Sequence, residues 1–368
     1  MIENRSRPAV REPTIPSDEG GAMRRAGVVA VTLALAVTVL PTAGCTGGDG
    51  AGGGTDGPTP TPTPSAELRG RSVEETVDTP SLANNILGDP AERDIMVHLP
   101  PSYDTSDARY PVVFYLAGAD EPVGRLRGYT SMMWDAMLAE GMRELIVVEV
   151  DGASSIGNTF YTNSPVTGDA EDALVVDLVA HVDATYRTVP EAAARGLSGF
   201  SMGGSGTVNV GLRHADVFSA LYAASPGLLR PEDGLAEFLR SNRAWACYGA
   251  AFAPDPDAPY PHHLPIDPDV PLEDQDPVAV AAWEAGYGAL EQKVADHLAG
   301  PDRLTAVRIS YGTRDGYPWI PEGSAYLVEL LLDRGVPATE RPFDGPHALD
   351  AGFATDYVAF FSEHLSTD

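Results

Sequence analysis

The five residues Gly199-Phe200-Ser201-Met202-Gly203 set a serine between two glycines in the spacing G-x-S-x-G. A serine hydroxyl is a weak nucleophile. It attacks a carbonyl only when a nearby base takes its proton and an acid orients that base. The stretch from Arg195 to Phe200 reads as a strand, and residues 202–214 read as a helix. A strand, a sharp turn and a helix would hold the hydroxyl clear of the backbone at a sheet end. The flanking glycines are expected to supply φ values that side chains oppose. Outside such a setting the same five residues are a glycine-rich turn with a solvated serine.

Two histidines follow the Pro- and Asp-rich stretch 228–302: His347 and His364. His364 falls in the last helical segment and reads as an exposed residue. His347 sits in Phe343-Asp344-Gly345-Pro346-His347-Ala348, a loop between a late strand and that helix. An imidazole with a near-neutral pKa there suits the task of taking the serine proton and handing it to a leaving group. For the acid, Asp315 in Tyr311-Gly312-Thr313-Arg314-Asp315 is the first choice, because it ends the strand 306–311. Asp344 and Glu322 are the alternatives. The oxyanion that forms needs backbone donors. The N–H of Met202, just after the nucleophile, is one. The other is expected from Leu116-Ala117-Gly118-Ala119-Asp120, and Ala119 is chosen.

These residues must be carried by a scaffold. Residues 94–99 alternate like a strand, and 111–117 and 144–150 are continuous β-rich apolar runs, as in strands buried on both faces. Residues 217–223, 306–311 and 338–343 read as further strands. Helical patterns cover 169–186, 322–334 and 353–365. Alternating strands and helices predict an α/β fold with a mostly parallel sheet covered by helices on both faces. Residues 228–302 break the rhythm and read as an insertion before the acid-bearing strand, placed either to cover the site or as a surface excursion.

The chain is similar to the putative-esterase family of α/β hydrolases, which includes esterase D, feruloyl esterases, enterochelin esterases and the antigen 85 mycolyltransferases. The resemblance is carried by LGDPAERDIMVHLPPSYD at 87–104, RYPVVFYLAG at 109–118, FYTNSP at 160–165 and LSGFSMGGSG at 197–206. HADVFSALYAASPGL at 214–228, YGTRDGY at 311–317 and GPHAL at 345–349 belong to it too. It implies the α/β-hydrolase fold and a serine acyl-enzyme mechanism without metal or organic cofactor. It also implies Ser201, Asp315 and His347 as the triad, with the N–H groups of Ala119 and Met202 as the oxyanion hole. Many relatives carry histidine or aspartate where this chain has Ala117. The insertion is poorly matched, so the resemblance leaves the substrate open.

The front of the chain has another texture. Met23-Arg24-Arg25, the apolar run 27–40 and Pro-Thr-Ala-Gly-Cys at 41–45 form a secretory signal with the look of a bacterial lipobox. Residues 23–44 are therefore expected to be a lipoprotein signal peptide and Cys45 its lipidated residue, with 1–22 an upstream extension. Residues 45–66, rich in Gly and then in Thr-Pro, read as a linker, and 67–368 as the catalytic domain. This predicts an enzyme lipid-anchored at the outer face of the cell membrane. The net charge of −29 excludes a nucleic-acid partner, since a polyanion would be repelled. Neither the two cysteines, Cys45 and Cys247, nor the pair His262-His263 has zinc-ligand spacing. The leading expectation is a serine esterase acting on a small-molecule, lipid or glycan ester. An acyltransferase of the mycolyltransferase type would use the same residues. A non-catalytic binding lipoprotein would need none of them.

Overall fold

The computed structural model describes residues 69–231, 233, 246–257 and 270–367. The expected extension 1–22, signal 23–44, Cys45 and linker 45–66 lie outside the described residues, as do His262 and His263. Among the described residues, no helix is long and apolar enough to cross a membrane.

Eight strands form one sheet: β1 (Arg71–Asp78), β2 (Glu92–Leu99), β3 (Val112–Leu116), β4 (Ile146–Val150), β5 (Arg195–Phe200), β6 (Ala220–Ala224), β7 (Ala306–Gly312) and β8 (Ala338–Phe343). Their spatial order is β1-β2-β4-β3-β5-β6-β7-β8. The pairs β1–β2 and β2–β4 are antiparallel, and every pair from β4 to β8 is parallel. The apolar runs of β3 and β4 are fully buried because helices cover both faces. Val112, Phe114 and Leu116 enter one core layer, and Val113 and Tyr115 enter the other, as a period of two requires.

The first layer is closed by α2 (Val179–Thr185), α3 (Met202–Arg213), α6 (Leu290–Ala299) and α7 (Trp319–Asp333). The second is closed by α1 (Thr130–Met137) and α8 (Phe353–His364). Each Val, Leu or Phe fully buried in these layers stabilises the fold by about 1.5–3 kcal/mol. The insertion supplies α4 (Ala246–Phe252), α5 (Pro277–Tyr287) and α6. It docks through Tyr248, Trp283 and Tyr287, with Tyr248 and Tyr287 edge-on to Phe160. Cys247 there is a free, buried thiol.

The layout matches the expected alternation, with local differences. The helix foreseen over 169–186 contains a π-helical stretch, Ala173–Leu178, before α2. Helix α7 starts at Trp319 rather than 322, since Pro321 is tolerated in a first turn. Five elements were not foreseen: β1, α1 and the three helices of the insertion. Strand β1 is a polar edge strand, and α1 is eight residues long with no side-chain cap. Neither writes a strong period into the sequence. The parallel arrangement brings the carboxyl ends of β3, β5, β7 and β8 to one side, where loops from an open sheet make a crevice.

Candidate active site

Strand β5 ends at Phe200 and α3 begins at Met202, so Ser201 is the whole turn between them. Its backbone has φ 55° and ψ −114°, a strained conformation for a side-chain-bearing residue. The Ser201 N–H donates to Ala224 O at 2.9 Å, tying the turn to β6. The strain sits on the serine and not on its glycines, contrary to the sequence reading. Gly199 and Gly203 have ordinary φ. They are glycines because a Cβ on Gly199 would lie 2.4 Å from Gly203 O, and one on Gly203 would lie 2.0 Å from Leu116 O. The motif is needed for close approach of helix to sheet.

His347 arrives on the loop after β8. Its Nε2 lies 2.9 Å from Ser201 Oγ and its Nδ1 lies 2.7 Å from Asp315 Oδ2. A carboxylate only accepts, so Nδ1 carries the proton and Nε2 is free to accept from the hydroxyl. The Asp315 side chain is 0% exposed, and its other oxygen accepts the Tyr317 N–H at 2.9 Å. A buried carboxylate is tolerated when both oxygens are bonded in this way. The imidazole is flanked by Phe200, ring centres 4.8 Å apart, and by Tyr317, edge-on at 5.4 Å.

The loops that bear the histidine and the acid are stitched together. Thr313 N–H donates to Phe343 O and Arg314 N–H to Gly345 O, both at 2.9 Å. This seam separates the acid candidates. Asp344 turns outward, 83% exposed, and pairs with Arg314 at 2.9 Å. Glu322 lies at the start of α7, where it pairs with Arg230 at 2.6 Å. Neither bonds His347. The other late histidine, His364, lies edge-on to Phe360 at the end of α8 and is partly buried, where the sequence reading had it exposed.

Met202 opens α3, and the first N–H groups of a helix have no acceptor within it. Ala119 lies in the loop after β3, and both residues line one cavity with Ser201 and His347. That cavity holds about 440 Å³. Its walls are aromatic, from Phe200, Tyr287, Tyr317 and Trp319, with Asp120, Glu121 and Arg125 as the charged members. Tyr287 ends α5, so the insertion does wall the site. Glu121, Arg125 and the three aromatic residues beyond Phe200 were missed from sequence. Only the i, i+4 spacing of Glu121 and Arg125 held a signal. Among the described residues, no group of three or more His, Cys, Asp and Glu is placed to hold a metal ion.

This geometry can be compared with known proteins. The family model described as "Putative esterase" matches residues 89–305, more than half the chain. An S-formylglutathione hydrolase from Agrobacterium tumefaciens is 18% identical with a TM-score of 0.54, covering 82% of this chain and 98% of that one. A ferulic acid esterase from Anaeromyces mucronatus, solved with ferulic acid, is 16% identical with a TM-score of 0.52, covering 83% of this chain and 94% of that one. A fluorophosphonate-binding serine hydrolase of Staphylococcus aureus, substrate bound, is 15% identical with a TM-score of 0.51, covering 79% and 96%. These likenesses carry the α/β-hydrolase fold. The family match, over more than half the chain, makes the chain a member of the putative-esterase family and an ester hydrolase.

Proposed function

We propose that the chain hydrolyses carboxylic esters through an acyl-enzyme on Ser201, with His347 as base and Asp315 as its orienting acid. The observation that carries this reading is the unbroken run of hydrogen bonds from Ser201 Oγ to His347 to the buried Asp315 carboxylate. In the first step His347 Nε2 takes the hydroxyl proton while Oγ bonds to the ester carbonyl carbon. The negative charge that develops on the carbonyl oxygen is met by the N–H groups of Met202 and Ala119. Collapse of this intermediate breaks the bond to the alcohol oxygen, which leaves with the proton from His347. Water, activated by the same nitrogen, then releases the acid and restores the serine. The imidazolium formed in both steps is stabilised by the Asp315 charge at 2.7 Å. The aromatic walls favour a small ester with an apolar or aromatic acyl group, and the likeness to a ferulic acid esterase agrees with that choice.

We place the enzyme at the outer face of the cell membrane, tethered by a lipid on Cys45. The support is the order Met23-Arg24-Arg25, apolar run 27–40, small residues and cysteine. The Gly-rich and Thr-Pro-rich residues up to 66 would then space the catalytic unit from the bilayer.

Fluorophosphonate labelling of the purified protein tests the chemistry. Wild type should label, Ser201→Ala should not, and His347→Ala should label far more slowly. A folded wild type that fails to label overturns the serine mechanism. Adding an acceptor alcohol to an ester assay separates hydrolysis from acyl transfer by the product formed. Radiolabelled palmitate should enter wild type and not Cys45→Ala. Equal incorporation in both would remove the anchor.

A further inference from the structure

Every backbone N–H from Ala117 to Glu121 is engaged except one. Ala117 donates to Val150 O and Glu121 to Gly118 O, each at 3.2 Å. Gly118 N–H donates to Glu121 Oε2 at 3.0 Å, and Asp120 N–H donates to Asn158 Oδ1 at 3.1 Å. Among the described residues, the Ala119 N–H has no acceptor. The peptide that bears it, between Gly118 and Ala119, is therefore the middle one of three. The peptides on either side are held by the side chains of Glu121 and Asn158.

We propose that Glu121 and Asn158 are positioning residues that hold the Ala119 N–H toward the carbonyl oxygen of an ester bound at Ser201. The inference rests on the ester-hydrolase reading of that site.

Three features of the loop fit this role. First, Asp120 has φ 59°, a left-handed conformation that a side-chain-bearing residue adopts under constraint. Asn158 grips it from both sides, since its Nδ2 also reaches Asp120 Oδ1 at 3.4 Å. Asn158 is 6% exposed and stands on the short hairpin after β4, so the grip comes from a buried side chain on a separate segment. Second, a Cβ on Gly118 would lie 2.8 Å from Glu121 Oε2. The carboxylate occupies the space a side chain would need. Third, a bare carboxylate beside a developing oxyanion would oppose it. Arg125 Nε lies 3.1 Å from Glu121 Oε1 and balances that charge. The clamp thus fixes the peptide with a carboxylate that is paired rather than bare, while the Asp120 carboxylate is held by Asn158.

The test is steady-state hydrolysis of an ester and of the matching thionoester, whose sulfur accepts hydrogen bonds poorly. Glu121→Ala and Asn158→Ala should each lower kcat on the ester by about 10–100-fold, with KM within about threefold, since the contribution lost appears only in the transition state. Thionoester turnover should fall much less. Glu121→Gln keeps an oxygen acceptor for the Gly118 N–H and should recover most of the ester rate. Near-UV circular dichroism reports folding. Glu121 is 24% exposed, so its replacement tests the clamp even where the buried Asn158 variant is unstable. Equal losses on both substrates, or a loss carried by KM, would overturn the proposal. Ser201→Ala in the same assay keeps the two ideas apart. If wild-type turnover survives in that variant, the nucleophile reading falls. If turnover needs Ser201 and the clamp variants match wild type, only the clamp falls.

Discussion

Gly203 lies so close to Leu116 that a Cβ on it would stand 2.0 Å from the Leu116 carbonyl oxygen. The first turn of α3 is thus pressed onto the end of β3, the strand that runs into the Ala119 loop. The obstacle is backbone, which cannot swing aside as a side chain can. Gly203→Ala must push the helix off the sheet or bend the strand. We expect a loss of at least about 3 kcal/mol, at the upper end of overpacking costs, and a sharp fall in ester turnover. Thermal melting with an activity assay checks both. A variant that melts and turns over like wild type would mean that the contact is soft.

The three acid candidates separate by substitution. Asp315→Asn keeps the shape and loses the charge that holds the His347 Nδ1 proton in place. Turnover should fall by about 10³–10⁴-fold with the fold intact. Asp344→Asn and Glu322→Gln, whose carboxylates pair with Arg314 and Arg230, should stay within about twofold of wild type. A large loss at Asp344 with none at Asp315 would reassign the acid.

Acid stability should depend on Glu171. Burial alone would raise its carboxyl, but hydrogen bonds from His214 and Arg213 outweigh that and hold it below the usual 4.5. A folded value below the unfolded one adds stability that is full above about pH 4.5 and lost as pH falls through the folded value. Glu171→Gln should therefore melt lower than wild type at neutral pH, by about 1–3 kcal/mol, with the gap closing toward acid. Melting curves across that range decide it. A gap that does not narrow would show that the charge is not the cause.

Basic pH should act through Lys293, the one lysine of the chain. Its Nζ donates to Gly286 O at 2.7 Å. Burial, with the positive charge of Arg213, pushes it down to about 7. Between about 7 and the unfolded value of about 10.4 the unfolded chain binds more protons, so stability rises with pH across that window. Lys293→Met should lose this rise. Denaturant midpoints of the two proteins should converge as pH increases, and parallel curves would refute the shift.

The parts whose chemistry is local could be read from residue types and their spacing. A serine in G-x-S-x-G between a strand and a helix, and a histidine in the loop before the last helix, are legible because each sits at a junction of two periods. The parallel sheet was legible for the same reason, since β3 and β4 are buried on both faces and write unbroken apolar runs. Strand β1 was not, because an exposed edge has no such run. Packing of the loops settled which carboxylate meets His347. Asp315, Asp344 and Glu322 are chemically alike, and the seam between the loops after β7 and β8 turns one inward and another out. Packing also decided why the glycines are glycines, and it brought Glu121 and Asn158 to either side of the Ala119 peptide. Those facts depend on distances between segments far apart in the chain. Such distances follow from how the layers pack, and a residue's type does not record them.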